Sequence, residues 1–322
     1  MNEIKLGIIG TNFVSDWLAE SAEKVDGISV AAVYSRKNET GDAFAEKHGI
    51  QCVFSDFDAF LGSDIDAVYI ASPNSCHYSQ TEAALKHGKH VLLEKPAALC
   101  ENDFAALSSL AHESGLILLE AMRPVHDPVM ERVRECIGKI GKIRRAVFEF
   151  CQYSSRYDKF KNGEIMNAFD PKFGNGAVMD IGVYAIEACV MLFGEPLEVR
   201  SKSMLFENGM EGMGRAVLSY GDFDAEIVYS KIYDSVTPSY IAGECGAVTI
   251  GKISTGENVF LKLRGEEERQ LMTERPENNM VYEIADFVGM IRGGRDTEIY
   301  DGYTGKTLRV IDEIRRQNGI VF

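Results

Sequence analysis

Three stretches of the chain carry side chains that could do chemistry. The first is His90-Val91-Leu92-Leu93-Glu94-Lys95-Pro96, an apolar run that ends in a carboxylate, an ammonium and a proline. Such a run predicts a buried strand, and open α/β sheets bind ligands at the carboxyl ends of their strands. Lys95 would stand there; a solvated surface charge is the plain alternative. The second is Ser72-Pro73-Asn74-Ser75-Cys76-His77, just upstream. Asn74 also suits a helix N-cap, and His77 a surface or half-buried helix position. The third is Gly174-Asn175-Gly176-Ala177-Val178-Met179-Asp180-Ile181-Gly182-Val183-Tyr184. If a helix starts near Asp180, Asp180 and Tyr184 share one face. An N-cap aspartate and a core tyrosine would explain them equally.

A fourth signal opens the chain. Gly7-Ile8-Ile9-Gly10-Thr11-Asn12-Phe13-Val14-Ser15 reads as a strand, a tight turn and a helix start. A dinucleotide turn wants a glycine for the bend, a second for close approach of the pyrophosphate, and a small residue for helix–strand packing. Gly10 suits the first role and Ser15 the third. Asn12 stands where the second glycine is usual, and asparagine tolerates positive φ, though its side chain crowds the phosphate path. An ordinary strand–turn–helix junction remains the alternative. The next strand ends Val33-Tyr34-Ser35-Arg36-Lys37. An acid at this tip would bind the ribose 2′-hydroxyl, whereas an arginine accommodates a 2′-phosphate. Here Ser35, Arg36 and Lys37 precede the first acid, Glu39, so NADP(H) is expected over NAD(H), with NAD(H) as the fallback.

These residues need a scaffold, and the pattern around them supplies one. Apolar runs at 4–9, 28–34, 67–71, 90–93 and 116–119 alternate with helical patterns at 13–24, 39–47, 75–87 and 102–114. That order predicts a doubly wound α/β domain with a parallel sheet. After about residue 122 a short helix at 128–136 leads into longer, more alternating runs at 143–153, 197–206, 214–220, 225–232, 247–250 and 259–263. They predict a mostly antiparallel sheet, with one helix at 181–192 and helices again at 282–291 and 304–316.

Composition excludes several classes. The 322 residues carry a net charge of −15, which disfavours nucleic acid and anionic membranes as partners. The start, Met1-Asn2-Glu3-Ile4-Lys5, lacks the form of a signal peptide. The seven cysteines are scattered, with no C-x-x-C for zinc or dithiol chemistry, and read as buried small hydrophobes in a cytoplasmic protein. No metal is expected.

Taken together, the N-terminal turn, the block ASPNSCHYSQTEAALKHGKHVLLEKP and the block GNGAVMDIGVYAIE resemble the glucose–fructose oxidoreductase / inositol dehydrogenase (Gfo/Idh/MocA) family along nearly the whole chain. The resemblance implies an N-terminal Rossmann domain, residues 1–122, and a C-terminal α/β domain with an open sheet, residues 123–322. The second domain would bind substrate and make a homodimer or homotetramer through its sheet. The last helix, 304–316, would be free to pack on the first domain. Family members move a hydride between NAD(P) and a sugar, polyol or related carbonyl compound.

Matched position by position, the resemblance makes Lys95 the catalytic lysine and Asp180 the family's aspartate. Tyr184 stands where many members have histidine, which resembles the dihydrodiol dehydrogenase and glucose–fructose oxidoreductase branches and points away from inositol dehydrogenases. The nucleotide would be held by Gly10, Thr11, Asn12 and Phe13, by Ser35, Arg36 and Lys37, by Ser72, Pro73, Asn74 and His77, and by Glu94 and Lys95. Arg123, His126 and Tyr153 are substrate candidates, with helix-surface roles as the alternative.

The chemistry is coherent. Oxidising an alcohol removes a proton as hydride leaves, so an acid–base group must reach the reacting oxygen. A tyrosine, with a usual pKa near ~10, needs a neighbouring ammonium to favour its phenolate. Asp180 would orient the lysine or bind a substrate hydroxyl. Two rival readings share the fold: a reductase of a non-sugar carbonyl or imine, and a nucleotide-binding regulator without turnover.

Overall fold

The computed structural model describes residues 3–293 and 296–322; Met1 and Asn2, part of the start read for a signal peptide, lie outside them. By its contacts the chain divides into two compact units, Met1–Met122 with Pro276–Gly302, and Arg123–Arg275 with Tyr303–Phe322. The sequence suggests one boundary near 122, with the last helix, 304–316, free to pack on the first domain; the far-end segment in the first unit is instead Pro276–Gly302, and Tyr303–Phe322 belongs to the second.

In the first unit, six parallel strands lie in the order β3-β2-β1-β4-β5-β6. They are β1 (Ile4–Ile9), β2 (Ile28–Tyr34), β3 (Cys52–Phe54), β4 (Ala67–Ile70), β5 (His90–Glu94) and β6 (Leu118–Ala121). Helices α1 (Phe13–Ala22), α2 (Asn38–His48), α3 (Phe57–Leu61), α4 (His77–Lys86) and α5 (Glu101–Glu113) connect them. This is the doubly wound order, with its direction reversing between β1 and β4. The strands are apolar on both faces because both are covered: Leu6, Ile8, Val68, Tyr69, Leu92 and Leu93 are fully buried. The helix Met280–Ile291 completes this core with Ile284, Phe287 and Val288. The short β3 and α3 escaped sequence reading, since three residues of edge strand leave no periodic signature.

In the second unit, α6 (Arg123–His126) and α7 (Pro128–Ile137) precede an eight-stranded sheet. Its strands are β7 (Ile143–Cys151), β8 (Glu198–Leu205), β9 (Glu211–Ser219), β10 (Asp224–Ser230), β11 (Ser239–Gly243), β12 (Gly246–Lys252), β13 (Glu257–Leu263) and β14 (Arg269–Gln270). The order is β14-β13-β12-β11-β7-β10-β9-β8, antiparallel except where β7 and β10 run parallel at the centre. Helices α8 (Tyr157–Lys161) and α9 (Val183–Phe193) lie between β7 and β8. The helix Met280–Ile291 is α10, and α11 (Glu298–Asn318) closes the chain, with residues from Tyr303 onward in the second unit.

Period-2 alternation sets the two faces of this sheet. Ala146, Phe148, Ala216, Leu218, Ala225, Ile227, Tyr229, Ile241 and Val248 are buried on one. The other is mixed rather than uniformly apolar: Val217 and Val228 share it with Arg215 and with the exposed Arg145–Glu226 ion pair.

The stretch Pro171–Phe193 is long and apolar enough to cross a membrane, but 78% of its apolar window is buried inside the protein, as in a core helix. All seven cysteines are free. Only Cys136, Cys151 and Cys189 are the buried hydrophobes expected; Cys52 on edge strand β3 and Cys245 in the β11–β12 turn are exposed.

Candidate functional site

The site residues fall in both units, and each unit builds its share locally. In the first, the carboxyl ends of β1, β2, β4 and β5 bring together most of the expected nucleotide residues. Gly10 has φ +104°, and a Cβ there would meet the carbonyl oxygen of Ala71 at 2.9 Å. A side chain is therefore excluded both by conformation and by space. Asn12 corrects the sequence reading: it adopts an extended conformation with φ −90°, not a positive φ. Its Oδ1 caps α1 by accepting from the amides of Val14 (2.8 Å) and Ser15 (3.3 Å), and its Nδ2 donates to Ala71 O (2.7 Å). One amide side chain thus ties the first helix to the end of β4. Ser15 is fully buried, as a helix–strand packing residue must be, Thr11 is half-buried, and Phe13 is 51% exposed.

At the β2 tip, the Ser35 hydroxyl lies 2.6 Å from Thr40 Oγ1, and Thr40 donates to the carbonyl of Lys37. These bonds shape the turn into α2. Arg36 and Lys37 are exposed, and among the described residues neither side chain has a hydrogen bond or ion pair. The tip therefore presents two uncommitted cations beside the N-terminus of an eleven-residue helix. Both features favour an anion.

The loop after β4 is fixed from within. Ser72 Oγ donates to Gln80 Oε1 (2.6 Å), and Pro73 leads into a 3₁₀ turn, Asn74–Cys76, that enters α4. His77 is 1% exposed, with Nδ1 2.8 Å from Pro96 O and Nε2 3.1 Å from Ser72 O. Burial holds the ring neutral, with a pKa pushed down to about 4. A neutral imidazole has one N–H, so it donates to one of these carbonyls, the Pro96 contact being the shorter. His77 is a strut between the two loops rather than an open ligand.

Lys95 is half-buried at the end of β5, and the Lys95–Pro96 peptide is cis. Two residues that sequence reading did not single out hold this end. Tyr69, fully buried, donates to Glu94 Oε1 (2.5 Å), and Glu120, a buried carboxylate on β6, accepts from the amide of Ala97 (2.7 Å). Glu120 was legible in principle, since an acid inside an apolar strand must have a partner.

The second unit holds Asp180 and Tyr184. The helix does not start at Asp180. A π-helical segment, Val178–Gly182, precedes α9, and Asp180 lies inside it. Two contacts explain the wide turn. Gly182 lies against Tyr229, where a Cβ would be 3.0 Å from the ring. Buried Glu211 accepts from the amide of Val178 (2.7 Å) and from the hydroxyls of Ser203 (2.5 Å) and Tyr229 (3.1 Å). Burial raises the Glu211 carboxyl above its usual range despite these donors. Such segments are frequent at functional sites. Tyr184 is half-buried, its ring edge-on to Phe150 with centroids 5.6 Å apart. Asp180 Oδ2 pairs with Lys231 Nζ at 2.9 Å. Lys231 was missed, although its parity with Ala225, Ile227 and Tyr229 aims it at the buried face.

Of the substrate candidates, Arg123 is half-buried and His126 buried on the short α6. Tyr153 is tied down: its hydroxyl donates to Asp158 (2.7 Å) and accepts from Lys161 (2.8 Å).

A parallel sheet in doubly wound order, with a glycine turn, helix N-termini and a lysine at its strand ends, defines a dinucleotide-dependent class of protein. Family models agree. Residues 4–122 match "Oxidoreductase family, NAD-binding Rossmann fold", and residues 130–240 match "GFO/IDH/MocA C-terminal domain". The chain belongs to the Gfo/Idh/MocA oxidoreductase family. It is 38% identical, over 99% of its own length and 98% of the other's, to scyllo-inositol 2-dehydrogenase (NADP(+)) IolU of Bacillus subtilis (strain 168). It is 26% identical to trans-1,2-dihydrobenzene-1,2-diol dehydrogenase of Xenopus laevis, over 76% of this chain and 74% of that one. KijD10, a 3-ketoreductase from Actinomadura kijaniata solved with NADP and TDP-benzene, shares the fold, with a TM-score of 0.87, 23% identity and 98% of each chain covered.

Proposed function

We propose that this oxidoreductase transfers a hydride between NADP(H) and a ring hydroxyl or ketone of a polyol or sugar, with inositols foremost. The observation that carries the reading is Lys95, held at the carboxyl end of β5 by the Tyr69–Glu94 and Glu120–Ala97 bonds, in the unit that matches the NAD-binding model. The substrate class comes from the inositol dehydrogenase likeness across the full chain. NADP(H) preference rests on Arg36 and Lys37 at a β2 tip without an acid.

The residues present suit a dinucleotide. Gly10 lets the backbone turn, the N-terminus of α1 offers its dipole to a pyrophosphate, and Arg36 offers a planar fork to a 2′-phosphate. The nicotinamide, when bound, accepts or returns the hydride. The chain does the rest. Lys95 donates to the reacting oxygen and stabilises negative charge on it as the proton leaves. Tyr184 takes that proton in oxidation and returns it in reduction. Asp180 accepts a hydrogen bond from a substrate hydroxyl. His77 holds the loops that flank Lys95. The protein is read as cytoplasmic, and the second unit as the substrate-binding and oligomer-forming part.

The test is nicotinamide absorbance with purified protein, NADP(H) or NAD(H), and a panel of inositols, inososes, aldoses and cyclic diols. Turnover on at least one polyol or its ketone is expected. Binding of NADP(H) with no redox change across the panel would favour a regulator instead.

A further inference from the structure

Lys231 follows the last residue of β10, and its amide donates to Gly212 O at 2.9 Å, so the strand's alternation carries through it. Its side chain is consequently driven into the interior, where only 2% of it is exposed. Burying an ammonium costs several kcal/mol unless its donors are met and its charge is balanced. Here the charge is balanced and two donors are met: Nζ bonds Asp180 Oδ2 at 2.9 Å and Ala168 O at 2.8 Å, and the ammonium lies 5.1 Å from the centre of the Phe169 ring. A methionine would have filled the same space at less cost, so the charge itself needs a reason.

The pair is lopsided. Its cation is hidden, while the Asp180 side chain is 39% exposed. An ion pair with only its acid accessible presents a carboxylate that is pinned from behind. Lys231 also fixes the 3₁₀ turn Asn167–Phe169 through Ala168, and Phe169 stacks in a ring cluster with Tyr157 and Phe160. A further ionisable group that feels the ammonium is Glu211, held by Val178, Ser203 and Tyr229; burial raises its carboxyl, and the Lys231 charge opposes that only weakly.

We propose that Lys231 is a positioning residue: it holds the Asp180 carboxylate and the 167–169 turn in one arrangement, so that Asp180 meets a substrate hydroxyl as a fixed, ionised acceptor. This deepens the polyol reading above and rests on it for the substrate. The Lys231 side chain is 2% exposed, so it acts on substrate through Asp180 and not directly.

The test combines stability and kinetics in Lys231→Met, Lys231→Gln, Asp180→Asn and the Lys231→Met/Asp180→Asn double variant, all in the full chain. Thermal unfolding needs no substrate. Asp180→Asn strands a buried ammonium, so its melting temperature should fall below that of the double variant. In kinetics, Lys231→Met should lower kcat/KM by about 10-fold and move the acid limb of its pH profile up by about 1 unit, since the aspartate then ionises without its partner. Lys231→Gln keeps a donor for Ala168 without the charge and should show the same acid-limb shift, even if the methionine variant fails to fold. Additive melting temperatures would overturn the coupling. An unmoved acid limb and wild-type kcat/KM in a destabilised variant would make Lys231 a mere structural pin and overturn the proposal. No turnover by wild type would instead refute the polyol reading, and the unfolding cycle would still decide the pair.

Discussion

At single residues, the assignments rest on where charge is offered and where it is excluded. Arg36 is exposed and uncommitted at the β2 tip, where a 2′-phosphate would sit. Arg36→Ala should lower kcat/KM for NADP(H) by roughly 10-fold or more and leave NAD(H) nearly unchanged, as a lost charged hydrogen bond of about 1.5–3 kcal/mol implies. A parallel comparison of both cofactors checks this, and equal losses for the two would show that Arg36 does not read the 2′ position. His77 makes a different kind of prediction. Its ring stays neutral in the folded protein down to about pH 4, while an ordinary histidine protonates near 6.5. Between those values the unfolded chain binds the extra proton. The associated stability is complete above pH 6.5 and is lost as pH falls towards 4, by about 3 kcal/mol at most. Urea unfolding across this window should show a shallower acid-side loss for His77→Gln than for wild type. Superimposable slopes would mean that the ring is not the buried neutral strut described.

Among the elements, the π-helical segment is where local sequence and local structure part. Asp180 and Tyr184 were legible as a pair from their spacing, but an ordinary helix was expected to begin near Asp180. What shapes it instead is Tyr229 under Gly182 and Glu211 on Val178, contacts from strands about 30 to 50 residues away that no local pattern encodes. Gly182→Ala forces a methyl towards the Tyr229 ring, and such overpacking typically costs about 1–3 kcal/mol. It should also depress turnover, because the residue lies between Asp180 and Tyr184. Calorimetry with a turnover assay decides; a variant with wild-type melting and rate would show that the segment tolerates an ordinary helix. The strands β1 and β2 were readable to the residue because each is a compact, mostly apolar run, with Lys5 the one charged residue in either. Strand β11, between Tyr233 and Cys245, was not: Ser239 and Gly243 leave only three apolar residues between them. The parallel β7–β10 pair at the centre of an otherwise antiparallel sheet likewise depends on chain routing, not on composition.

For the whole molecule, the doubly wound first unit and open second sheet were legible as classes. The return of Pro276–Gly302 to the first unit was not, because α10 is amphipathic and looks the same whichever core it joins. Assembly belongs to this scale. The outward face of the second sheet joins Val217 and Val228 to Arg215, Arg145 and Glu226. A dimer or tetramer through it should weaken in high salt as well as on dilution, since its contacts are partly ionic. Light scattering over a concentration and salt series measures this, and a monomer at every concentration, with unchanged stability on dilution, would count against it.

The most direct measurement is isotopic. A polyol that gives turnover is labelled with deuterium on its reacting carbon, and the reduced nucleotide is examined by NMR for deuterium at nicotinamide C4. The wild type should deliver one deuteride per turnover, while Lys95→Met and Tyr184→Phe, still folded and still binding nucleotide, should turn over at least roughly 10²-fold more slowly. Label lost to water, or either variant working at the wild-type rate, would contradict direct hydride transfer assisted by these two side chains.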